Sequence, residues 1–126
     1  MNNPSINRFE DIEAWQQARL LTRSIYSLTK TGEFSRDFGL RDQIQRASVS
    51  AMSNIAEGFE SRTDALFCDF LGRAKASCGE VRSQLYVALD NAYLTGAQFD
   101  ELRELAERCS GKIFNFMAYL ERIPRR

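Results

Sequence analysis

The residues best suited to chemistry in this chain are polar side chains that recur every three or four positions in two segments. In an α-helix, such spacing places side chains on one face. Glu57 in the first segment and Glu80 in the second would be paired carboxylates for general acid–base chemistry if two helices turned these faces toward each other. The full inward-facing set that we expect is Gln43, Arg46, Ser50, Ser53, Asn54, Glu57, Ser77, Glu80 and Gln84. The alternative interpretation is a hydrogen-bonded network that fixes helix register or forms a subunit contact.

Other patterns typical of catalytic or metal sites are missing from the sequence. The chain has no histidine, which removes the usual general base and the commonest zinc ligand. Cys68, Cys78 and Cys109 show no CxxC spacing and fall within helical patterns, so we expect buried, reduced thiols. No Gly-rich phosphate loop or nucleophile elbow occurs. We therefore expect no enzymatic activity, no cofactor and no metal ion.

Four amphipathic segments must position these residues, because apolar side chains recur at helical spacing through nearly the whole chain. We expect helices at about residues 10–30, 38–58, 64–93 and 98–122. Short loops force sequential helices to run antiparallel, so the sequence predicts one all-α domain over residues 1–126, an up-down-up-down four-helix bundle. The third helix should bury the longest apolar row: Phe67, Leu71, Ala74, Cys78, Val81, Leu85, Ala88 and Ala92. Trp15 should belong to the buried face of the first helix.

Helix starts are marked by capping residues. Ser35 or Asp37 can cap the second helix. Ser61, Thr63 or Asp64 can cap the third. Thr95 followed by Gln98 predicts a capping box at the start of the fourth. Acidic side chains should complement the dipole in the first turn of helix 1: Glu10, Asp11 and Glu13.

Helix ends are marked by glycine and proline. Gly58 should end the second helix in a left-handed conformation, and Gly32 fits the position that follows the first helix. Pro124 should stop the fourth helix.

The charge balance limits the partners that we expect. Lys plus Arg and Asp plus Glu are 17 each, so the formal net charge is zero. A neutral chain argues against whole-surface binding to nucleic acid and favours self-association. The candidate contacts of a local phosphate-binding patch are Arg41, Arg62, Arg73 and Lys75. No signal peptide and no apolar segment of about 20 residues is visible, so we expect a cytoplasmic protein without a membrane partner.

Three sequence blocks resemble one known family. The first is an F-x-D-L-x-x-W-x-x-A element, represented here by Phe9, Asp11, Ile12, Trp15 and Ala18, with Ile in place of Leu. The second is the block that ends in SNIAEG: Gly39, Leu40, Gln43, Ile44, Arg46, Ala47, Ser50, Ser53, Asn54, Ile55, Ala56, Glu57 and Gly58. The third comprises Phe67, Leu71, Ala74, Ser77, Glu80, Gln84, Leu85 and Ala88. Ala76 replaces the usual Gly of that third block.

These blocks are similar to those of the bacterial four-helix bundle proteins that are encoded in intervening sequences of 23S ribosomal RNA genes. The resemblance implies a left-handed up-down bundle that assembles as a ring-shaped homopentamer, and it carries over no catalytic residues. A distant branch of the family is the accessory variability determinant of diversity-generating retroelements, a strongly basic pentamer that binds nucleic acid and reverse transcriptase. This neutral chain lacks that charge.

Three functions follow as expectations. The first is a non-enzymatic, homo-oligomeric interaction or scaffold protein with itself as the partner. The second is an accessory protein associated with RNA or DNA, and the third is a small-ligand-binding bundle.

Overall fold

The structure, a computed structural model, describes residues 6–123. This part of the chain contains four α-helices and no β-strand, which confirms the all-α prediction. The helices are α1 (Glu13–Thr29), α2 (Phe38–Phe59), α3 (Asp64–Asp90) and α4 (Gly96–Arg122). Short 3-10 turns, Phe9–Asp11 and Glu33–Arg36, precede α1 and α2.

The helices form a bundle in which each packs against two neighbours. α1 contacts α2 and α4, and α3 also contacts α2 and α4, with α2 and α3 sharing the most extensive contact. Contacts between α3 and α4 join Cys78 to Cys109 and Arg82 to Glu107, so residue numbers rise along one helix as they fall along the other. The two helices are therefore antiparallel, as the up-down topology requires. The left-handed twist stays a prediction.

The start of α1 differs from the prediction. The α-helix begins at Glu13 rather than near residue 10, because Ile12 is extended, with φ −79° and ψ 122°. Ile12 is only 2% exposed in this conformation. Glu10 and Asp11 therefore lie in the preceding 3-10 turn and not in the first turn of α1, where only Glu13 remains. Asp11 instead accepts a hydrogen bond from the backbone N–H of Asn7 at 3.0 Å.

The end of α3 also differs. The helix ends at Asp90 rather than near residue 93, and Ala92 has a φ of +60°. The N–H of Ala92 donates to the carbonyl of Leu89 at 3.0 Å, and the N–H of Tyr93 donates to Ala88 at 2.9 Å. This pair of bonds is a Schellman ending, with alanine at the left-handed position that glycine usually takes. We expected Ala92 to be the last residue of the buried row of α3, but it is exposed.

Gly58 does not have the predicted role. It lies inside α2 and is buried, and the helix continues to Phe59. A Cβ atom at this position would meet Phe67 Cδ1 at 2.7 Å and Phe70 Cβ at 2.9 Å. The glycine is needed for the close approach of α3 and not for a left-handed turn. Gly32, in contrast, has the expected positive φ of +65° after α1.

Three caps were identified correctly from the sequence. Asp37 accepts from the N–H of Leu40 at the start of α2, and Thr63 accepts from Leu66 at the start of α3. Thr95 and Gln98 form the predicted capping box of α4, which begins slightly earlier than expected, at Gly96. Pro124, which should stop this helix, lies outside the described residues.

The apolar core consists of two clusters stacked along the bundle. One contains Phe34, Leu85 and Phe99, and the other contains Phe67, Leu71 and Ile113. They meet at a level of small buried side chains that we name the waist: Ala18, Ala47, Ser48, Ala51, Ala74, Cys78, Ala106 and Cys109. Small side chains let helix backbones approach closely, so the waist sets the spacing of the bundle.

Trp15 lies at the edge of this core. It is half-buried, with its ring 5.3 Å from Phe9 in an edge-to-face arrangement and the Arg19 guanidinium 5.8 Å from its centre. Within residues 6–123, every helix is too short or too polar to span a membrane.

Candidate functional site

The polar residues predicted from the sequence follow the outer side of the contact between α2 and α3. On α3 they continue a row, spaced by three and four residues, that also contains apolar side chains. We name this surface the α2/α3 face and define it by Gln43, Arg46, Ser50, Ser53, Asn54 and Glu57 on α2, and by Leu66, Phe70, Arg73, Ser77, Glu80, Gln84 and Val87 on α3.

Three of the predicted residues meet at the waist. Ser77 donates its hydroxyl to Ser50 Oγ at 3.0 Å across the two helices. Asn54 donates its amide to the same hydroxyl at 3.0 Å and to the Ser50 carbonyl at 2.9 Å. Of the predicted network, only the bond from Ser77 to Ser50 joins the two helices, whereas Asn54 bonds within α2 and the Gln84 amide lies 3.4 Å from Glu80 Oε2 within α3.

The inward placement is wrong for five residues of the set. Exposed side chains are Gln43, Arg46, Ser53, Glu57 and Glu80. The reason is that Ala47, Ala51 and Ala74 fill the contact between the helices, and residues one step further around each helix point outward. Whether these five residues form a subunit interface stays a prediction.

Glu57 and Glu80 do not form a carboxylate pair. Ser50 lies opposite Ser77 on antiparallel helices. Glu57 is seven residues beyond Ser50 in one direction, and Glu80 is three residues beyond Ser77 in the other. At 1.5 Å per residue the two carboxylates are separated by roughly 15 Å along the bundle. General acid–base chemistry that needs both carboxylates at one substrate has no geometric basis here.

The four candidate nucleic-acid contacts do not form one patch. Arg41 is held by Asp42 at 3.1 Å and by the Ser35 carbonyl at 3.0 Å. Arg73 and Lys75 are exposed, but two residues along a helix correspond to about 200°, so they point to opposite sides of α3.

Arg62 is exposed in the turn before α3, and the Arg73 guanidinium lies 5.0 Å from the centre of the Phe70 ring. Among residues 6–123, Arg62, Arg73 and Lys75 make no ion pair. Their charges therefore remain available to an outside partner, although they do not converge on one point.

A pair of cysteines is the feature that the sequence analysis missed. Cys78 and Cys109 are fully buried with their Sγ atoms 3.4 Å apart, and Cys109 Sγ lies 3.9 Å from the Ala14 carbonyl. The hydrogen bond between the thiols lowers the pKa of Cys78, since a neighbouring S–H can donate to its thiolate. The same bond, together with burial, raises the pKa of Cys109. The two positions lie on different helices, so no sequence spacing signals this contact.

A surface groove of about 480 Å³ lies between α1 and α4, away from the α2/α3 face. Its lining includes Leu20, Arg23 and Glu101. The small-ligand alternative remains a prediction. Residues 6–123 also contain no cluster of side chains that could hold a metal ion.

Comparison with known proteins gives a family and a fold. The model of the 23S rRNA-intervening sequence protein family matches residues 10–115. The fold resembles the crystal structure of a protein with unknown function from the S23 ribosomal protein family of Bacteroides thetaiotaomicron, with a TM-score of 0.76 and 17% sequence identity. That match covers 83% of this chain and 95% of the other. No curated protein matches the chain in sequence.

Proposed function

Because the chain belongs to the 23S rRNA-intervening sequence protein family, we propose that it acts without catalysis as a self-associating interaction module of the cytoplasm. The α2/α3 face would be the contact between copies. The observation that carries the proposal is that this face places exposed apolar side chains of α3 beside short polar side chains, with the charged Arg46, Glu57, Arg73 and Glu80 among them.

The apolar part of the α2/α3 face lies on α3. Leu66 is 43% exposed and Val87 is 46% exposed, and Phe70 is half-buried. Covering such side chains removes apolar area from water, which stabilises association by about 25 cal/mol per Å² before the losses of association. These residues therefore supply a driving force for contact between copies.

The polar part of the face favours association in a different way. Ser50, Asn54 and Ser77 already bond to one another, so covering them leaves few unsatisfied groups. Serine also loses less side-chain entropy on burial than lysine or glutamate. These three positions thus resist burial less than charged side chains would.

The expected number of subunits is five, and it rests on the family resemblance. In a cyclic ring each subunit presents two different patches to its neighbours. The zero net charge of the chain supports close packing of several copies, because it limits their mutual repulsion.

Light scattering coupled to gel filtration tests the proposal directly. One chain has a mass of 14.4 kDa, and we expect about five times that mass at micromolar concentrations. A monomer would refute self-association, and a stable dimer or tetramer would refute only the ring size.

A matched pair of leucine variants tests the location of the contact. Leu66 lies on the α2/α3 face at 43% exposure, and Leu20 lies in the α1/α4 groove at 40% exposure. We expect Leu66→Glu to reduce the mass toward that of one subunit, since it buries a charge at each contact. Leu20→Glu should keep the wild-type mass. The reverse result would place the interface on α1 and α4.

Association with nucleic acid is the second candidate, favoured by the exposed Arg62, Arg73 and Lys75, which make no ion pair within residues 6–123. A symmetric assembly would repeat these charges on each copy. Binding through phosphates predicts an affinity that falls steeply with salt, and each lost contact reduces the slope of log K against log salt by roughly 0.7–0.9. A titration of wild-type protein and Arg73→Ala with single-stranded RNA at two salt concentrations measures this slope. Absence of binding at low salt would remove this candidate.

A further inference from the structure

We propose that Cys78 and Cys109 are a modification site at which a hydroperoxide generates an intramolecular disulfide between α3 and α4. This inference is independent of the proposed self-association, because both sulfur atoms lie inside one subunit, away from the α2/α3 face.

The geometry requires only a small movement. The two Sγ atoms are 3.4 Å apart, and a disulfide bond is about 2.05 Å long, so the sulfurs must approach each other by about 1.4 Å. Ala74 and Ala106 lie one turn from the two cysteines and are fully buried. These small side chains let α3 and α4 move together without displacing a large residue.

The chemistry starts from the two thiols. The two Sγ atoms lie 3.4 Å apart, so either thiol can attack first and the other can complete the bond; we write the first step with Cys78, whose pKa the neighbouring thiol lowers. Its sulfur attacks one oxygen of the hydroperoxide and the O–O bond breaks. For hydrogen peroxide, the products are a sulfenic acid on Cys78 and one water molecule, which takes the thiol proton.

Cys109 completes the reaction. Its sulfur attacks Cys78 Sγ, the S–S bond forms, and the S–O bond breaks. The departing hydroxide takes the proton of Cys109 and leaves as a second water molecule. Two thiols and one hydrogen peroxide thus give one disulfide and two waters, with the cysteines oxidised and the peroxide reduced.

Burial makes the pair selective. Cys78 and Cys109 are 0% exposed, whereas Cys68 is half-buried on the same helix as Cys78. A bulky alkylating reagent should therefore modify Cys68 in the folded protein and leave the pair intact. A small peroxide can enter during brief opening of the bundle.

The experiment treats the full chain with hydrogen peroxide and counts thiols after unfolding. All three cysteines carry thiols in the untreated protein. We expect the count to fall from three to one, and from two to none in a parallel sample whose Cys68 was alkylated beforehand. A peptide map should link Cys78 to Cys109. Dithiothreitol should restore both thiols. The midpoint of thermal unfolding should rise by roughly 10 °C, since the bond closes a long loop.

Two variants serve as matched controls. In Cys68→Ala protein, peroxide should remove both remaining thiols without forming dimers linked by a disulfide. In Cys68→Ala/Cys109→Ala protein, Cys78 has lost both the second thiol and the hydrogen bond from it, so we expect no disulfide within the chain and a slower formation of sulfenic acid, which dimedone traps. The proposal is overturned if the peptide map of oxidised wild-type protein shows disulfides of Cys68 and none between Cys78 and Cys109. It is also overturned if Cys68→Ala protein keeps both thiols under conditions that fully oxidise Cys68 in the wild type. Because the wild-type map alone decides the linkage, poor folding of a variant leaves the test intact.

Discussion

Tyr93 donates its hydroxyl to Asp37 Oδ2 at 2.9 Å, across a separation of 56 residues. The other carboxylate oxygen of Asp37 accepts from the N–H of Leu40 at 3.1 Å and caps α2. The Tyr93 ring also stacks on Phe34, with ring centres 5.2 Å apart. One carboxylate therefore joins the start of α2 to the segment that follows α3.

This contact predicts a loss of stability at alkaline pH. The hydrogen bond to Asp37 and partial burial raise the pKa of Tyr93 above its ordinary value of 10.0. A pKa raised by folding means that the contribution is complete below pH 10 and is lost as the pH rises through the pKa of the folded state. We expect wild-type protein to lose more unfolding free energy between pH 9 and pH 11 than Tyr93→Phe, as measured by urea denaturation. Tyr26→Phe, which removes a phenol without a carboxylate partner among residues 6–123, should keep the wild-type loss.

Replacing Ala92 by glycine should stabilise the protein. Ala92 has a φ of +60°, which costs a residue with a Cβ about 1 kcal/mol relative to glycine. We expect Ala92→Gly to raise the unfolding free energy by about 1 kcal/mol in urea denaturation. The same change at Ala76, exposed in the middle of α3, should lower it by about 1 kcal/mol. Equal signs at the two positions would contradict the Schellman ending.

Adding a single methyl group at Gly58 should destabilise the bundle. The new Cβ would come within 2.9 Å of Phe70 Cβ, which cannot move without its helix. We expect Gly58→Ala to lower the unfolding free energy by about 1–3 kcal/mol. Gly111→Ala is the matched control, because nothing lies within 4 Å of its new Cβ, and it should stabilise α4 by up to about 1 kcal/mol. The midpoints of thermal unfolding of the two variants should shift in opposite directions if crowding by α3, rather than helix propensity, decides the effect at Gly58.

Asn54 and Glu57 should respond differently to truncation. Asn54 bonds to Ser50 through its amide, and Glu57 is exposed without a partner in the described part of the chain. We expect Asn54→Ala to lower the unfolding free energy by about 1 kcal/mol and Glu57→Ala to change it by less than about 0.5 kcal/mol. Both are best measured in the Leu66→Glu background, where, if the proposed interface is correct, contact between subunits does not contribute. A loss at Glu57 equal to that at Asn54 would show that this carboxylate has a partner within the subunit.

The helices and their starts could be predicted from the sequence because both depend on local signals. Apolar spacing identified the buried row of α3 from Phe67 to Ala88. Asp37, Thr63 and Thr95 were recognisable because a cap bonds to a backbone N–H only a few residues away.

The remaining features depend on how helices approach one another, and periodicity does not specify that approach. Helical spacing puts Glu57 and Ser50 on the same side of α2. The position of α3 decides that Ser50 contacts Ser77 and that Glu57 is exposed. Gly58 resembled a helix end, and its real neighbours, Phe67 and Phe70, belong to the next helix. Ala92 was missed because glycine, not alanine, usually marks a left-handed residue.

The division of the core into two clusters means that side-chain substitutions at the two ends of the bundle can be compensated independently. A change of side-chain volume near Phe34 must be compensated by neighbours such as Leu85 or Phe99, whereas Ile113 belongs to the other cluster. Substitutions in different clusters that share no partner should be nearly additive in free energy, and substitutions within one cluster should be coupled. The small side chains of the waist lie between the two clusters, so their volume is limited by the packing of both. A substitution at the waist should therefore couple to substitutions in both clusters.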